Sequence, residues 1–419
     1  MATISDIYFE LVELSGHIVA KGAWSSTLHA DCLYLSAHLA KPGRRCRVLQ
    51  GTLEITPFTP LAALDLSPGT CIQVIWPFSS AAVRHRQGLA FAAIKANGSV
   101  VTWGDADSGG NSSAVAPLLT EGVVQVCGNA LAFAAIKANG SVVTWGDAGS
   151  GGDSSVEAPL LAEGVVQVYG NSFAFAAMKL DSSVVTWGDA NYGGNSSVVA
   201  PLLAEGVVQV CANNSAFAAI KANGSAVTWG NADSGGDSLV VAPLLTEGIV
   251  QVCGIVSAFA AIKADGSVVT WGNANSGADS SAVAPLLMED VVQVCANARA
   301  SAGIKADGCV VTWGIGYSGG DSSVVAPFLT EGVVQVCAND SAFAAIKANG
   351  SVVTWGSAES GGDSSVVAPL LTEGVVQVCG NSFAFAAIKA NGSVVTWGDA
   401  DSGGDSSVVA PLLTEGVVQ

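Results

Sequence analysis

Tryptophan stands at Trp103, Trp145, Trp187, Trp229, Trp271, Trp313, Trp355 and Trp397, an interval of 42 residues every time. From Arg84 to Gln419 there are 336 residues, eight times that interval. A fixed period of this size restricts a chain to an array of one small structural tile, because every copy must meet its neighbours through the same surfaces.

Residues 123–164 read VVQVCGNALAFAAIKANGSVVTWGDAGSGGDSSVEAPLLAEG. Val123 to Cys127 is a short β-branched run, and Ala132–Lys137 and Ser141–Gly146 flank Asn139-Gly140. Asn-Gly between two such runs predicts a hairpin whose type I′ turn has positive φ at both central residues. In that register Ala134 faces Trp145 and Ile136 faces Val143, while Phe133, Ala135 and Lys137 lie on the other face. Both faces are largely apolar, so both need cover. An indole over an alanine is a large–small pair that can interdigitate with an adjacent copy. The remainder of the unit predicts a turn-rich corner, then a weak fourth strand broken by Pro159.

Three strands and a weak fourth within 42 residues make a sheet about the size of a propeller blade. The expected fold is therefore mainly β, an eight-bladed β-propeller, with an open β-solenoid as the alternative. The expected units are 84–125, 126–167, 168–209, 210–251, 252–293, 294–335, 336–377 and 378–419. The first copy opens poorly, with Arg84-His85-Arg86 where the others have Val-Cys-Gly. Val417-Val418-Gln419 is expected to pair beside the first hairpin and latch the ring.

Half of the chain is apolar and only 12% is charged, yet Gly, Ser, Glu or Lys interrupts every apolar run before about 18 residues, the length of a membrane span. The start, MATISDIYFELVEL, lacks the basic and apolar regions of a secretory signal, which predicts a cytoplasmic or nuclear protein. The ten cysteines lack the close, varied spacing of a small secreted scaffold and are expected as reduced, hydrophobe-like thiols. Sequons such as Asn97-Gly98-Ser99 then mark turns only. Net charge is −18, and residues 84–419 hold eleven basic against twenty-eight acidic groups, which argues against phosphate backbones as partners.

At the hairpin, Ala134…Gly140-Ser141-Val142-Val143-Thr144-Trp145-Gly146, repeated over residues 84–419, resembles the repeat of the RCC1 family (regulator of chromosome condensation). The resemblance implies a β-propeller over residues 79–419. It further implies either guanine-nucleotide exchange on a small GTPase or a protein-interaction module of HERC-type ubiquitin ligases. These units are shorter than that family's, there is one copy more than its seven, and Gly151-Gly152-Asp153-Ser154 stands where the family often has Gly-Gln-Leu-Gly. No long insertion is present to form the wedge that exchange factors push into a GTPase. A HERC-type ligase would carry a catalytic HECT domain after the propeller, whereas this sequence stops inside a repeat.

Residues 1–78 form a second expected module. Ile7–Leu14 and His17–Lys21 straddle Ser15-Gly16 as a hairpin. Leu28, Cys32, Leu35 and Leu39 recur at helical spacing. Arg45–Leu53 and Gly69–Ile75 then read as strands. This order is similar to that of ubiquitin-like β-grasp domains, which implies a built-in ubiquitin mimic or a cap on the first blade, and ubiquitin-pathway proteins as partners. No Gly-Gly tail follows Ile75, so conjugation to targets is not expected.

Three chemical readings of the repeat compete with a structural one. The corner Asp399-Ala-Asp401-Ser-Gly-Gly-Asp405 offers oxygen atoms at alternate positions around a glycine turn, as calcium requires. Those positions hold Asp105/Asp107/Asn111, then Asp147/Gly149/Asp153, Ile315/Tyr317/Asp321 and Ser357/Glu359/Asp363 in other copies, so carboxylates come and go. Asp, Asn, Gly and Ser also suit turns for backbone reasons. A calcium- or glycan-binding repeat is therefore a minor alternative, and no cofactor is expected. Each copy carries a lysine, Lys95 through Lys389, and a glutamate, Glu121 through Glu415, which could hold a charged partner but are expected as solvated groups. His17, His29, His38 and His85 all precede or begin the array, so no Ser–His or Cys–His couple recurs in it. Cys127, Cys211, Cys253, Cys295, Cys337 and Cys379 share one strand position, with Tyr169 in the third copy, as packing residues do. Gly-Gly-Asp-Ser-Ser lacks the lysine of a phosphate loop. The expected function is non-catalytic: a scaffold that meets protein partners through its loop faces.

Overall fold

In a computed structural model of the chain, residues 88–407 are described without a break. Also described are 6–13, 17–25, 30, 32–33, 36–37, 47–50, 53–55, 59, 61, 64, 71–75, 82–83, 409 and 413–414. The expected latch at Val417–Gln419, the residues Arg84–Arg86, and Leu28, Leu35 and Leu39 of the expected helix lie outside the described residues. The chain divides into two compact units, Met1–Ala232 with Leu245–Val250, and Asp233–Leu244 with Gln251–Gln419.

The first unit begins with a five-stranded sheet of β1 (Asp6–Glu13), β2 (Ile18–Ser25), β3 (Arg47–Gln50), β4 (Leu53–Ile55) and β5 (Ile72–Ile75), in the order β2-β1-β5-β3-β4. β1 pairs antiparallel with β2 and parallel with β5 at the centre. Alternation decides its buried side: Leu11, Val48, Ile72 and Val74 point inward and meet Ala30, Leu33, Ala37, Leu61 and Leu64 from the crossover and the later loop. Helical residues occur at 32–33 and 36–37, where Ser36 Oγ donates to the Cys32 carbonyl at 2.8 Å.

The remaining sheets are eight three-stranded antiparallel tiles, the first over Ala82–Gly104 and the second over Val123–Gly146. The sixth spans Val291–Gly314 and the eighth Val375–Gly398. The fold is mainly β, and the period is structural as well as sequential. The expected unit boundaries fall inside a first strand, so 123–164 is the better phase.

Two local expectations are corrected. In the second tile Gly140 N donates to Lys137 O and Lys137 N to Ser141 O, both at 2.8 Å. Gly140 has φ +77°, while no asparagine of the described chain has positive φ. The hairpin therefore closes through a three-residue loop, a type I turn followed by a left-handed glycine, and not through a two-residue type I′ turn. The physical reason is the Asn139 side chain, whose Oδ1 accepts from Ser141 N at 3.1 Å and Ser141 Oγ at 2.8 Å. One extra loop residue shifts the pairing: Phe133 faces Trp145, and Ala134 faces Thr144. Such a slip exchanges faces. The large–small complement expected within a hairpin is found between copies instead.

The expected fourth strand is absent from the described tiles. Pro159 sits in a hydrogen-bonded turn, and Pro117, Pro201, Pro243, Pro285, Pro327 and Pro369 in short 3₁₀ or single-turn helices such as Ser113–Leu118 and Ala200–Leu203, because proline cannot donate to a ladder.

Each tile has an aromatic face and an alanine face. Phe and Trp of one tile stack with ring centroids 5.2–5.5 Å apart in seven tiles. That face buries against the alanine face of the preceding copy: Ala132, Ala134 and Ile136 meet Phe175, Ala177, Val185 and Trp187. The same arrangement places Ala342, Ala344 and Ile346 against Phe385, Ala387, Val395 and Trp397.

Candidate interaction surface

The corner following each tile is built by short polar side chains that satisfy its backbone. In the second copy Asp147 accepts from Ser150 N at 2.8 Å and Ser150 Oγ at 2.7 Å. Gly151, at φ +94°, brings its backbone so near the next tile that a methyl group there would strike Phe175 at 2.8 Å. Its carbonyl accepts from Trp187 Nε1 at 3.1 Å. The same bond joins Trp145 to Gly109, Trp229 to Gly193, Trp271 to Gly235, Trp313 to Gly277, Trp355 to Gly319 and Trp397 to Gly361, at 2.9–3.1 Å. Trp103 is 44% exposed. The tryptophans singled out by spacing thus hold tile to tile, each buried indole meeting the donor requirement of its N–H.

Past the corner, Thr144 Oγ1 and Ser154 Oγ lie 3.0 Å apart, and Asp153 Oδ1 accepts from Ser155 N at 2.9 Å. The turn that follows sorts its apolar residues sharply. Leu161 is buried in the inter-tile core, and its carbonyl accepts from Val142 N at 3.0 Å. Val156, Val198, Val240, Val324 and Val366 are instead 85–97% exposed at one tile position. Leu118, Leu160, Leu202, Leu244, Leu286, Phe328 and Leu370 are 51–58% exposed at another.

Charge accompanies these apolar residues. The backbone N–H and then the hydroxyl of the serine two residues on hold Asp153, Asp321, Asp363 and Asp405 below the ordinary carboxylate value. They are anions throughout the neutral range. The lysines, expected as solvated strand ends, have a specific partner: Lys137 donates to the Leu118 carbonyl at 3.0 Å, and Lys179, Lys221 and Lys389 make the same bond at 2.8 Å. The ammonium thereby backs the exposed leucine of the preceding corner.

The corner carboxylates read as calcium ligands are engaged with their own loops: Asp147 with Ser150, Asp153 with Ser155, and Asp399 with Ser402 Oγ at 2.6 Å. Among the described residues no three His, Cys, Asp or Glu side chains are placed to hold a metal ion. Burial raises the pKa of the strand cysteines Cys253, Cys295 and Cys337; Cys295 is pushed up to about 12, by burial first and then by its neighbours Cys337 and Cys253. A thiol so held is protonated and a poor nucleophile. Of the histidines only His17 is among the described residues, and it is exposed. No described helix is long and apolar enough to cross a membrane. The exposed valines and leucines escaped sequence reasoning, although an apolar pair astride a proline in a turn segment was the available signal.

The sequence matches no protein-family model and no curated protein. Among solved structures it is similar to Prp20p of Saccharomyces cerevisiae, described together with its binding to Gsp1p and histones: 15% identity, 57% of this chain and 72% of that one, TM-score 0.35. It is also similar to the CRINKLY WD40 ectodomain of the Arabidopsis thaliana receptor kinase ACR4, at 16% identity over 66% of this chain and 93% of that one, TM-score 0.34. Human WBSCR16 is similar at 16% identity over 67% and 80%, TM-score 0.34. At such identities, and with TM-scores below 0.5, the description of the fold rests on the chain's own sheets.

Proposed function

We propose that the chain is a non-catalytic protein-interaction scaffold built on RCC1-like propeller repeats. The observation that supports this most directly is the recurrence of nearly naked valines, 85–97% exposed, beside exposed carboxylates. A solvent-facing valine contributes nothing to the fold, whereas burying one against a partner contributes on the order of 1.5 kcal/mol, and here the position recurs five times. With twenty-eight acidic and eleven basic groups over residues 84–419, the complementary partner is a protein surface with basic groups around an apolar stripe. Serine at positions 156, 198, 240, 324 and 366 leaves the inter-tile cores untouched. Its expected effect in affinity capture by the full chain is a loss of at least tenfold in retained partner; undiminished retention by a folded variant rejects the reading.

The ubiquitin connection has weaker support. The order β2-β1-β5-β3-β4 with β1 parallel to β5 is what a ubiquitin-like β-grasp over residues 1–78 requires. Nucleotide exchange and membership of a HERC-type ligase rest on the repeat resemblance alone. Accelerated nucleotide release from a small GTPase would replace the scaffold reading with exchange.

A further inference from the structure

Eight tiles are joined by seven indole–carbonyl bonds, which leaves one aromatic face and one alanine face over. The aromatic face belongs to the first tile, whose longer strands are Ala90–Ile94 and Val100–Gly104. Phe91 and Trp103 stack there at 5.3 Å, as the rings of other tiles do. Yet Trp103 is 44% and Val101 41% exposed, where their counterparts Trp145 and Val143 are 4% and 8% exposed. Phe91 is half-buried where Phe133 is buried. Among the described residues no carbonyl accepts from Trp103 Nε1.

The alanine face belongs to the eighth tile. At Gly109, Gly151, Gly193, Gly235, Gly319 and Gly361 an added methyl group would strike the phenylalanine of the following tile at 2.6–2.9 Å. At Gly403 it would meet nothing within 4 Å. Ala386 and Leu413 are half-buried, whereas their counterparts Ala134 and Leu161 are buried.

Both faces are written in the letters of a core. Residues 90–104, 342–356 and 384–398 all read AFAAIKANGSVVTWG. The joint of the seventh and eighth tiles, where Ala342, Ala344 and Ile346 cover Phe385 and Trp397, is thus built from the same second and third strands as the two uncovered faces. An apolar face that is buried at every other copy calls for cover, and its indole calls for an acceptor.

We propose that the eighth tile of one chain covers the first tile of a second copy, so that chains assemble head to tail through one more joint of the established kind. Trp103 takes the role of Trp397, and the Gly403 carbonyl that of Gly361. The occupant is a second copy because the complement of each face is spelled in this chain and both faces are open in it at once. Unlike faces meet, so every chain added presents a fresh face for the next. The contact uses neither Val156 nor its counterparts, and so stands apart from the scaffold reading.

The test is sedimentation of the full chain over a range of concentrations, at raised salt because copies of net charge −18 repel one another. The mean mass is expected to rise with concentration to at least twice that of one chain. Trp103→Arg and Ala386→Arg, each with its fold checked by circular dichroism, are each expected to hold the mass of a single chain. Mixed in equal amounts they are expected to form a dimer and nothing larger, since the mixture keeps one working face of each kind. Val101→Glu serves if Trp103→Arg does not fold, and Gly403→Ala if Ala386→Arg does not. A wild type that keeps the mass of one chain at every concentration overturns the proposal in favour of closure within the chain. Association that survives either substitution, or a mixture that stays at single-chain mass, overturns it as well.

Discussion

The five-stranded sheet and the repeated tiles solve the same problem in opposite ways. Residues 6–75 bury Leu11, Leu33, Val48, Leu61, Ile72 and Val74 against one another, so that module closes its core with its own side chains. A tile cannot do this, because its aromatic face is covered only by the alanine face of the copy before it. Damage to a closed core should therefore remain where it is made, whereas damage to a tile should spread to its neighbours.

The largest effect is expected from Trp187→Ala, which empties a fully packed site and orphans the Gly151 carbonyl: a cost of about 3–5 kcal/mol, measured by denaturant unfolding. Hydrogen exchange should then quicken in the second and third tiles together and not in β1 or β5; quickening everywhere would erase the contrast. Leu11→Ala is expected to cost about 2–5 kcal/mol and to show the mirror image, with faster exchange in the five-stranded sheet and unchanged protection of the tiles. Gly140→Ala addresses the joint between copies. It forces a side chain into φ +77° and against the Gly164 amide, so destabilisation by about 1–2 kcal/mol or more is expected in unfolding experiments. The third tile offers the converse, since Ser182 occupies that left-handed position at φ +63°. Ser182→Gly should stabilise the chain by about 1 kcal/mol, visible as a higher denaturation midpoint.

The smallest effect is acid-dependent. The Ser183 hydroxyl, with the Ser183 N–H, holds the Asp181 carboxyl below its ordinary value. A carboxyl whose pKa is depressed by folding stabilises the folded chain above the unfolded value of about 3.9, and that contribution disappears as pH falls through the folded value. Stability should therefore decline slightly below about pH 4, and Asp181→Asn should flatten that decline in acid unfolding curves.

Much of this was legible in the sequence. The tryptophan interval fixed the tile and its number, and turn residues marked strands within residues 6–75. Their order in the sheet was not legible, and the run expected as one strand over Arg45–Leu53 holds two paired strands, Arg47–Gln50 and Leu53–Ile55. The register was not legible, because Asn139-Gly140 suits both a two-residue and a three-residue loop, and only the Asn139 carbonyl reaching Ser141 decides between them. From that one residue followed the exchange of Phe133 for Ala134 opposite Trp145. The exposed Val156 row was hidden for another reason: apolarity in sequence reads as burial, and the proline after it was taken to interrupt a strand when it belongs to a turn or a short helix.

The bond from each indole after Trp103 to the glycine carbonyl 36 residues earlier gives the array a direction. Each tile between two others brings one plug on its upstream side and one socket on its downstream side, both encoded in the same stretch of gene. Unequal crossing-over can then lengthen or shorten the chain by whole tiles without leaving any joint mismatched, and selection can act on length before it acts on sequence.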